Sequence, residues 1–179
     1  VTTGSSTLTL IGKKAISAIE TDDYVAITGT KAFTKVDIDL MGIAPLSGSV
    51  WTIEVDGKNY NYTVGSGVDP VLTLDRVASG LEDVIAAAGY TVSVTTGLNP
   101  TLRIAKDGAA FVARSTSADI VIDTVTSEYD AEKYAEINIE VSGAISSDGV
   151  WAITIDGTEY KYSVGKNGEM LNLPSVDLT

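Results

Sequence analysis

The chain has 179 residues, of which 44% are hydrophobic and 20% charged, a composition typical of a folded protein. It contains no Cys and no His, which excludes disulfides, zinc–thiolate sites, cysteine nucleophiles and the Ser-His-Asp arrangement. The net charge of −12 repels nucleic-acid phosphates and anionic membranes, so we expect neither a specific nucleic acid nor a membrane as partner.

The first 35 residues resemble a later part of the same chain. Residues 1–13, VTTGSSTLTLIGK, match residues 94–107, VTTGLNPTLRIAKD, and residues 22–27 match residues 117–122. We therefore interpret residues 1–35 as the back half of a repeat unit of about 100 residues.

Residues 36–127 form the complete copy of this unit, and it opens with a strand. Residues 36–40 alternate apolar and acidic side chains, the period of a strand with one face in water. Asp37 and Asp39 are expected on that solvent face.

A hairpin is predicted next, in VWTIEVDGKNYNYTVG at residues 50–65. The Asp-Gly pair at 56–57 is typical of a two-residue turn. Such a turn places Trp51 opposite Tyr62 and Ile53 opposite Tyr60, whereas another turn type would shift the pairing by one residue.

A helix follows the hairpin, with Thr73 as its N-cap and Gly89 just past its end. Gly80 weakens the helix interior by about 1 kcal/mol relative to Ala, which indicates close approach to a neighbouring strand. The apolar residues expected to pack on the sheet are Leu74, Val77, Leu81, Val84, Ile85 and Ala88.

The unit closes with β-structure. Residues 90–95 and 101–105 predict a second hairpin, and residues 118–125 predict a final strand. Residues 128–133 form a polar insert without a counterpart in the first copy, and we interpret them as a linker.

Residues 134–179 repeat the front half of the unit. VWAITIDGTEYKYSVG at 150–165 matches the first hairpin at an offset of 100, so the same turn places Trp151 opposite Tyr162 and Ile153 opposite Tyr160. The predicted fold is a β-rich α+β fold: tandem modules of antiparallel hairpins, with one helix packed on the sheet.

Two explanations account for the partial copies at the two ends. Either the chain is part of a longer tandem array, or residues 1–35 and 134–179 complete one another as a second domain. Joining within one chain would give a two-domain monomer, and joining between chains would give a strand-exchanged ring or filament.

Acidic side chains are the abundant potential catalytic groups, but their positions favour structural roles. Asp56 and Asp156 lie in predicted turns, and Asp69 precedes a proline. The pairs at positions 22–23 and at 119 and 123 lack the spacing of an EF-hand calcium loop. We therefore expect no enzyme, no catalytic residues, no cofactor and no metal site.

The hairpin aromatics raise an alternative, because exposed aromatic rings stack on sugars and two copies would give avidity. Trp51, Tyr62, Trp151 and Tyr162 are the candidate binding residues for a bacterial surface glycan. Their position on the same strand face as Ile53 favours burial under the helix instead.

The run W-x-I-x-V-D-G-x-x-Y-x-Y-x-V-G, a helix ending in A-A-G-Y, and then T-V-S-V-T-T-G and T-L-R-I resembles modules of tailed-bacteriophage virion proteins. Similar modules are the one inserted in the tail tubular (nozzle) protein of podophages of the T7 type and the tandem modules of tail fibre proteins. The resemblance implies a non-enzymatic structural or assembly module of a phage tail, made in the host cytoplasm and located in the virion. Its implied partners are copies of itself or neighbouring virion tail proteins. A receptor- or glycan-binding adhesin-type module is the alternative.

Overall fold

The computed structural model describes residues 6–17, 19–20, 25–42, 44–66, 71–115, 117–141, 150–156 and 158–163. The chain divides into two compact units, which we call the central unit (residues 32–130) and the terminal unit (residues 1–31 with 131–179). Across the described residues the fold is β-rich, with antiparallel strand pairs and one helix, which confirms the predicted β-rich α+β class.

In chain order the elements are β1 (Ser6–Ser17), β2 (Ile19–Glu20), β3 (Val25–Leu40), β4 (Val50–Val55), β5 (Lys58–Thr63), α1 (Leu74–Ala86), β6 (Thr91–Thr95), β7 (Thr101–Ala105), β8 (Ala113–Ser115), β9 (Ile120–Val141), β10 (Val150–Ile155) and β11 (Thr158–Ser163).

The larger sheet of the central unit has the strand order β9–β3–β7–β6. In it Val36 lies opposite Ile104 and Ile38 opposite Leu102, and all four side chains are buried. Because side chains alternate along a strand, the residues between them point to the other face of the sheet. The pairing of β6 with β7 confirms the predicted second hairpin.

The smaller sheet of the central unit has the order β5–β4–β8. Asp56 and Gly57 both adopt positive φ, 49° and 75°, as a two-residue hairpin turn of type I′ requires. The resulting register confirms the predicted pairs, Trp51 opposite Tyr62 and Ile53 opposite Tyr60.

Helix α1 begins directly after its predicted N-cap and ends at Ala86, three residues before Gly89. The Thr73 hydroxyl accepts a hydrogen bond from the Arg76 backbone N–H at 3.3 Å, and Gly89 follows the helix with φ of 92°. Four of the six predicted packing residues are buried, namely Leu74, Val77, Leu81 and Ile85. The prediction is wrong for Val84, which lies at the margin of the buried stripe, and for Ala88, which lies two residues beyond the last helical residue; both are exposed.

The terminal unit contains strands from both ends of the chain. In it β1 pairs with β9, β10 pairs with β11, and β2 pairs with β10. The register of the second hairpin confirms Trp151 opposite Tyr162 and Ile153 opposite Tyr160. The buried residues of this unit's core are Leu10, Ile16, Ile137, Ile139 and Ile155.

Strands β3 and β9 are longer than predicted, and each boundary between the units falls within one of them. Residues 36–40 are only the end of β3, and β9 continues well past residue 125. Residues 128–133, interpreted from sequence as a linker, are part of β9. Since β9 has 22 residues and β3 has 16, the difference of six equals the length of this insert, so the insert lengthens a strand. The interpretations placed on positions 22–23, 69–70 and 164–179 lie outside the described residues.

Candidate functional site

Of the four aromatic residues considered for glycan binding, those of the central unit belong to its core. Trp51 is 7% exposed, and Tyr62 is half-buried against the same cluster. A ring that stacks on a sugar needs one open face, and Trp51 has almost none. Trp151 and Tyr162 face each other across the second hairpin in backbone register, and their side chains lie outside the described part of the structure.

Tyr62 packs directly on helix α1 at Gly80. A Cβ atom added to Gly80 would overlap the Tyr62 ring, so only glycine allows this approach between β5 and α1. The expectation that Gly80 permits close approach to a strand is confirmed, and the ring is part of the packing between helix and sheet.

Asp37 is the most deeply buried charged residue in the described structure, at 2% exposure, and the expectation that it faces solvent is wrong. Arg103 on the neighbouring strand β7 holds its carboxylate with two hydrogen bonds, Nε to Oδ1 at 2.7 Å and Nη2 to Oδ2 at 2.8 Å. The Asp37 backbone N–H donates to the Ser127 hydroxyl at 3.0 Å. The hydrogen bonds from Arg103 hold the pKa of Asp37 below its ordinary value against the opposing effect of burial.

The surroundings of Asp37 form a polar cluster that links three strands of the sheet. The Thr101 hydroxyl donates to Asp39 at 2.7 Å, between β7 and β3. Lys35 forms an ion pair with Glu128, between β3 and β9. These contacts are cross-strand pairs, which stabilise a sheet by a few tenths to about 1 kcal/mol each.

Asp123, considered above as a calcium ligand, binds its own backbone. Its carboxylate accepts hydrogen bonds from the Val125 N–H at 2.8 Å and the Thr126 hydroxyl at 2.8 Å, and these bonds lower its pKa. Among the described residues no group of three acidic side chains is placed to hold a metal ion.

A second cluster forms around Asp56 in the first hairpin turn. Its carboxylate accepts hydrogen bonds from the Tyr90 hydroxyl at 2.9 Å, the Lys106 ammonium at 3.0 Å and the Val112 backbone N–H at 3.0 Å. Burial, and then the hydrogen bond to Asp56, raise the pKa of Tyr90. The turn, the loop before β8 and the end of β7 are thereby tied together.

In both clusters carboxylates are paired with cations and hydroxyls, and in the second cluster also with a backbone N–H group. Sequence reasoning assigned structural roles to the acidic residues in general but missed the partners Arg103, Tyr90 and Lys106. Side chains alternate along TLRIA at residues 101–105, so Arg103 points to the face of β7 away from its apolar residues. Its pairing with Asp37 requires knowing that β3 and β7 are neighbours, which the sequence does not state.

Comparison with protein-family models, with curated proteins and with solved structures found no match. Within the described residues no helix is long and apolar enough to cross a membrane.

Proposed function

We propose that this chain is a non-enzymatic structural and assembly module of a bacteriophage tail, located in the virion and associated with copies of itself or with neighbouring tail proteins. The observation that carries the proposal is a strand register that the central and terminal units share.

The shared register is found in the pairing of β3 with β7 in the central unit and of β9 with β1 in the terminal unit. In the central unit Leu102 lies opposite Ile38 and Ile104 opposite Val36. In the terminal unit Leu8 lies opposite Ile139 and Leu10 opposite Ile137. The sequence repeat aligns TLTL at 7–10 with TLRI at 101–104, and residues 137–143 with residues 36–42. Both pairs therefore occupy equivalent positions in the repeat.

The residue between these apolar pairs makes a polar contact in each unit. Thr9 donates a hydrogen bond to Asn138 at 2.6 Å, in the position where Arg103 binds Asp37. The smaller sheets correspond as well, since each consists of a hairpin with the Asp-Gly turn and one added short strand. These correspondences support tandem modules in which the two chain ends complete one another within a single chain.

Repeated modules that stack on one another build extended surfaces, which suits a protein whose role is assembly. In the central unit the most buried acidic groups serve as cross-strand links, which supports a non-enzymatic role. The acidic composition suits a component of a particle that carries DNA, because it disfavours adsorption to phosphates. The glycan-binding alternative gains no support in the central unit, where Trp51 is buried.

The direct test is to look for the chain in phage particles. Virions encoded by the genome that carries this sequence are purified and analysed by mass spectrometry, and an antibody raised against the chain is used for immunogold electron microscopy. We expect the chain in the particles and the label on the tail. Absence from purified particles, or a genome that encodes no tailed particle, would overturn the proposal.

A further inference from the structure

We propose that two copies of the chain associate edge to edge through β6, antiparallel, about a twofold axis that passes through Ser93. This inference deepens the proposed function, on which it rests, by naming the surface that joins one copy to another.

Strand β6 is the last strand in the sheet order of the central unit, with β7 as its single neighbour among the described residues. Thr91, Ser93 and Thr95 are exposed, and Val92 and Val94 are half-buried against the core. An edge strand presents unpaired backbone N–H and C=O groups to any strand of matching register. A second copy can therefore extend this sheet by main-chain hydrogen bonds.

The other outer strands carry features that oppose such pairing. Natural proteins protect edges with charged residues, bulges or very short strands. β1 has a register irregularity between Ile11 and Ile16 and contains two lysines. β2 has two residues and β8 has three. The outer strands β5 and β11 of the two three-stranded sheets carry charged residues, represented by Lys58 and Glu159.

β6 has none of these features. Its sequence Thr-Val-Ser-Val-Thr has no charge, no proline and no glycine, and its pairing with β7 runs without a register shift. In a chain of net charge −12, two copies repel one another over most of their surface. An uncharged strand is where that repulsion is weakest.

The sequence of β6 also reads the same in both directions. In an antiparallel pair centred on Ser93, Thr91 of each copy faces Thr95 of the other, and Val92 faces Val94. A twofold interface requires this self-complementarity, because residue i contacts residue j and residue j contacts residue i. Facing Thr–Thr and Val–Val pairs are favourable cross-strand neighbours.

The absence of native Cys allows a direct test of the register. Directly opposed residues of antiparallel strands have Cα atoms about 4.5–5.5 Å apart, within the range that a disulfide spans. We expect Ser93→Cys to form a disulfide-linked dimer rapidly under mild oxidation. Thr124→Cys, also at an exposed position and on the charged strand β9, serves as the matched control and should react more slowly.

Residues 91 and 95, which lie away from the proposed twofold axis, provide a stricter test of the register. Thr91→Cys alone should cross-link poorly, because its two copies would lie four residues apart along the strand, about 13 Å. A mixture of Thr91→Cys and Thr95→Cys chains should cross-link efficiently. Equal rates for Ser93→Cys and Thr124→Cys, or efficient self-linking of Thr91→Cys, would overturn the proposed register.

Charged substitutions at residues 91 and 95 test the interface without forming a covalent bond. The variant with Thr91→Lys and Thr95→Lys places like charges opposite each other and should weaken self-association about tenfold, and the corresponding Glu variant should do the same. Mixing the two variants should restore association as a heterodimer. Sedimentation velocity measures each case, and circular dichroism checks folding.

The outcomes separate this inference from the proposed function. If the Lys and Glu variants associate as the unmodified chain does, the β6 interface is wrong, whatever the virion labelling shows. If the β6 interface is found but the chain is absent from virions, the tail assignment fails and the interface stands as a property of the protein.

Discussion

Arg103 binds both carboxylate oxygens of Asp37, although Asp37 is almost inaccessible to solvent. The pKa of Asp37 lies below its ordinary value of 3.8, chiefly because of this pair. At acidic pH the unfolded chain therefore takes up a proton that the folded chain does not bind. The stabilisation from Asp37 is complete above the unfolded pKa and is lost as pH falls through the folded pKa.

We expect the free energy of unfolding to fall as pH is lowered below about 4, with part of that fall due to Asp37. Urea titrations over the acidic range measure it. Asp37→Asn should show a shallower pH dependence than the unmodified chain. Identical slopes for the two proteins would show that Asp37 does not contribute.

Removing Arg103 should be more harmful than neutralising Asp37. Arg103→Met leaves a buried carboxylate without its cation, whereas Asp37→Asn leaves a neutral amide that still accepts hydrogen bonds. Thermal unfolding should rank the variants in that order. Arg76→Met, a change at an exposed helix residue, is the matched control and should unfold near the temperature of the unmodified chain.

Gly80→Ala tests the contact between the helix and Tyr62. Ala would normally favour the helix, but its Cβ would overlap the ring, so we expect a loss of about 1–3 kcal/mol in unfolding free energy. In a Tyr62→Ala background the ring is absent, and Gly80→Ala should then be neutral or stabilising. A double-mutant cycle in denaturant gives the coupling. Additive effects of the two substitutions would contradict the assigned contact.

Asp56→Ala should destabilise the central unit by about 2–3 kcal/mol, because Tyr90 and Val112 lose their acceptor and Ala is disfavoured at positive φ. Asp83→Ala on the exposed helix surface is the control. The raised pKa of Tyr90 adds a pH effect: unfolding releases its proton above about pH 10, so stability should fall as pH rises beyond that value. That alkaline loss should be smaller in the Asp56 variant.

Leu10→Ala tests whether the N-terminal strand belongs to the same unit as the C-terminal hairpin. Leu10 is 4% exposed in the core of the terminal unit, so its truncation should cost about 2–5 kcal/mol. Each unit has one tryptophan, so Trp51→Phe leaves Trp151 as the reporter of the terminal unit. We expect its fluorescence transition to shift to lower denaturant. An unchanged Trp151 transition would show that the two chain ends do not complete one another.

Local chemistry explains which parts of the fold could be predicted. The Asp-Gly pair favours a two-residue turn, so the pairing of Trp51 with Tyr62 was the expected register, and the structure confirms it. Thr73 marked the start of the helix because an N-cap depends on neighbouring residues alone, whereas the helix ends three residues before Gly89.

Contacts between residues that are far apart in the sequence could not be predicted from local sequence patterns. Asp37 looks like a solvent-facing residue in an alternating strand, and its burial depends on Arg103 and Ser127, which lie 66 and 90 residues further along the chain. The polar insert at 128–133 was interpreted as a linker because it has no counterpart in the first copy, yet it is part of strand β9. Tyr90 and Lys106 are also distant from Asp56 in the sequence, so no local pattern predicted that they bind it.

The central claim is that copies of this chain associate through a defined edge, and light scattering coupled to size-exclusion chromatography tests it most directly. Measured over a wide concentration range, the unmodified chain should change from the mass of one chain to that of at least two. The variant carrying Thr91→Lys and Thr95→Lys should make that change at about tenfold higher concentration. A single-chain mass for the unmodified protein at every concentration would contradict the account.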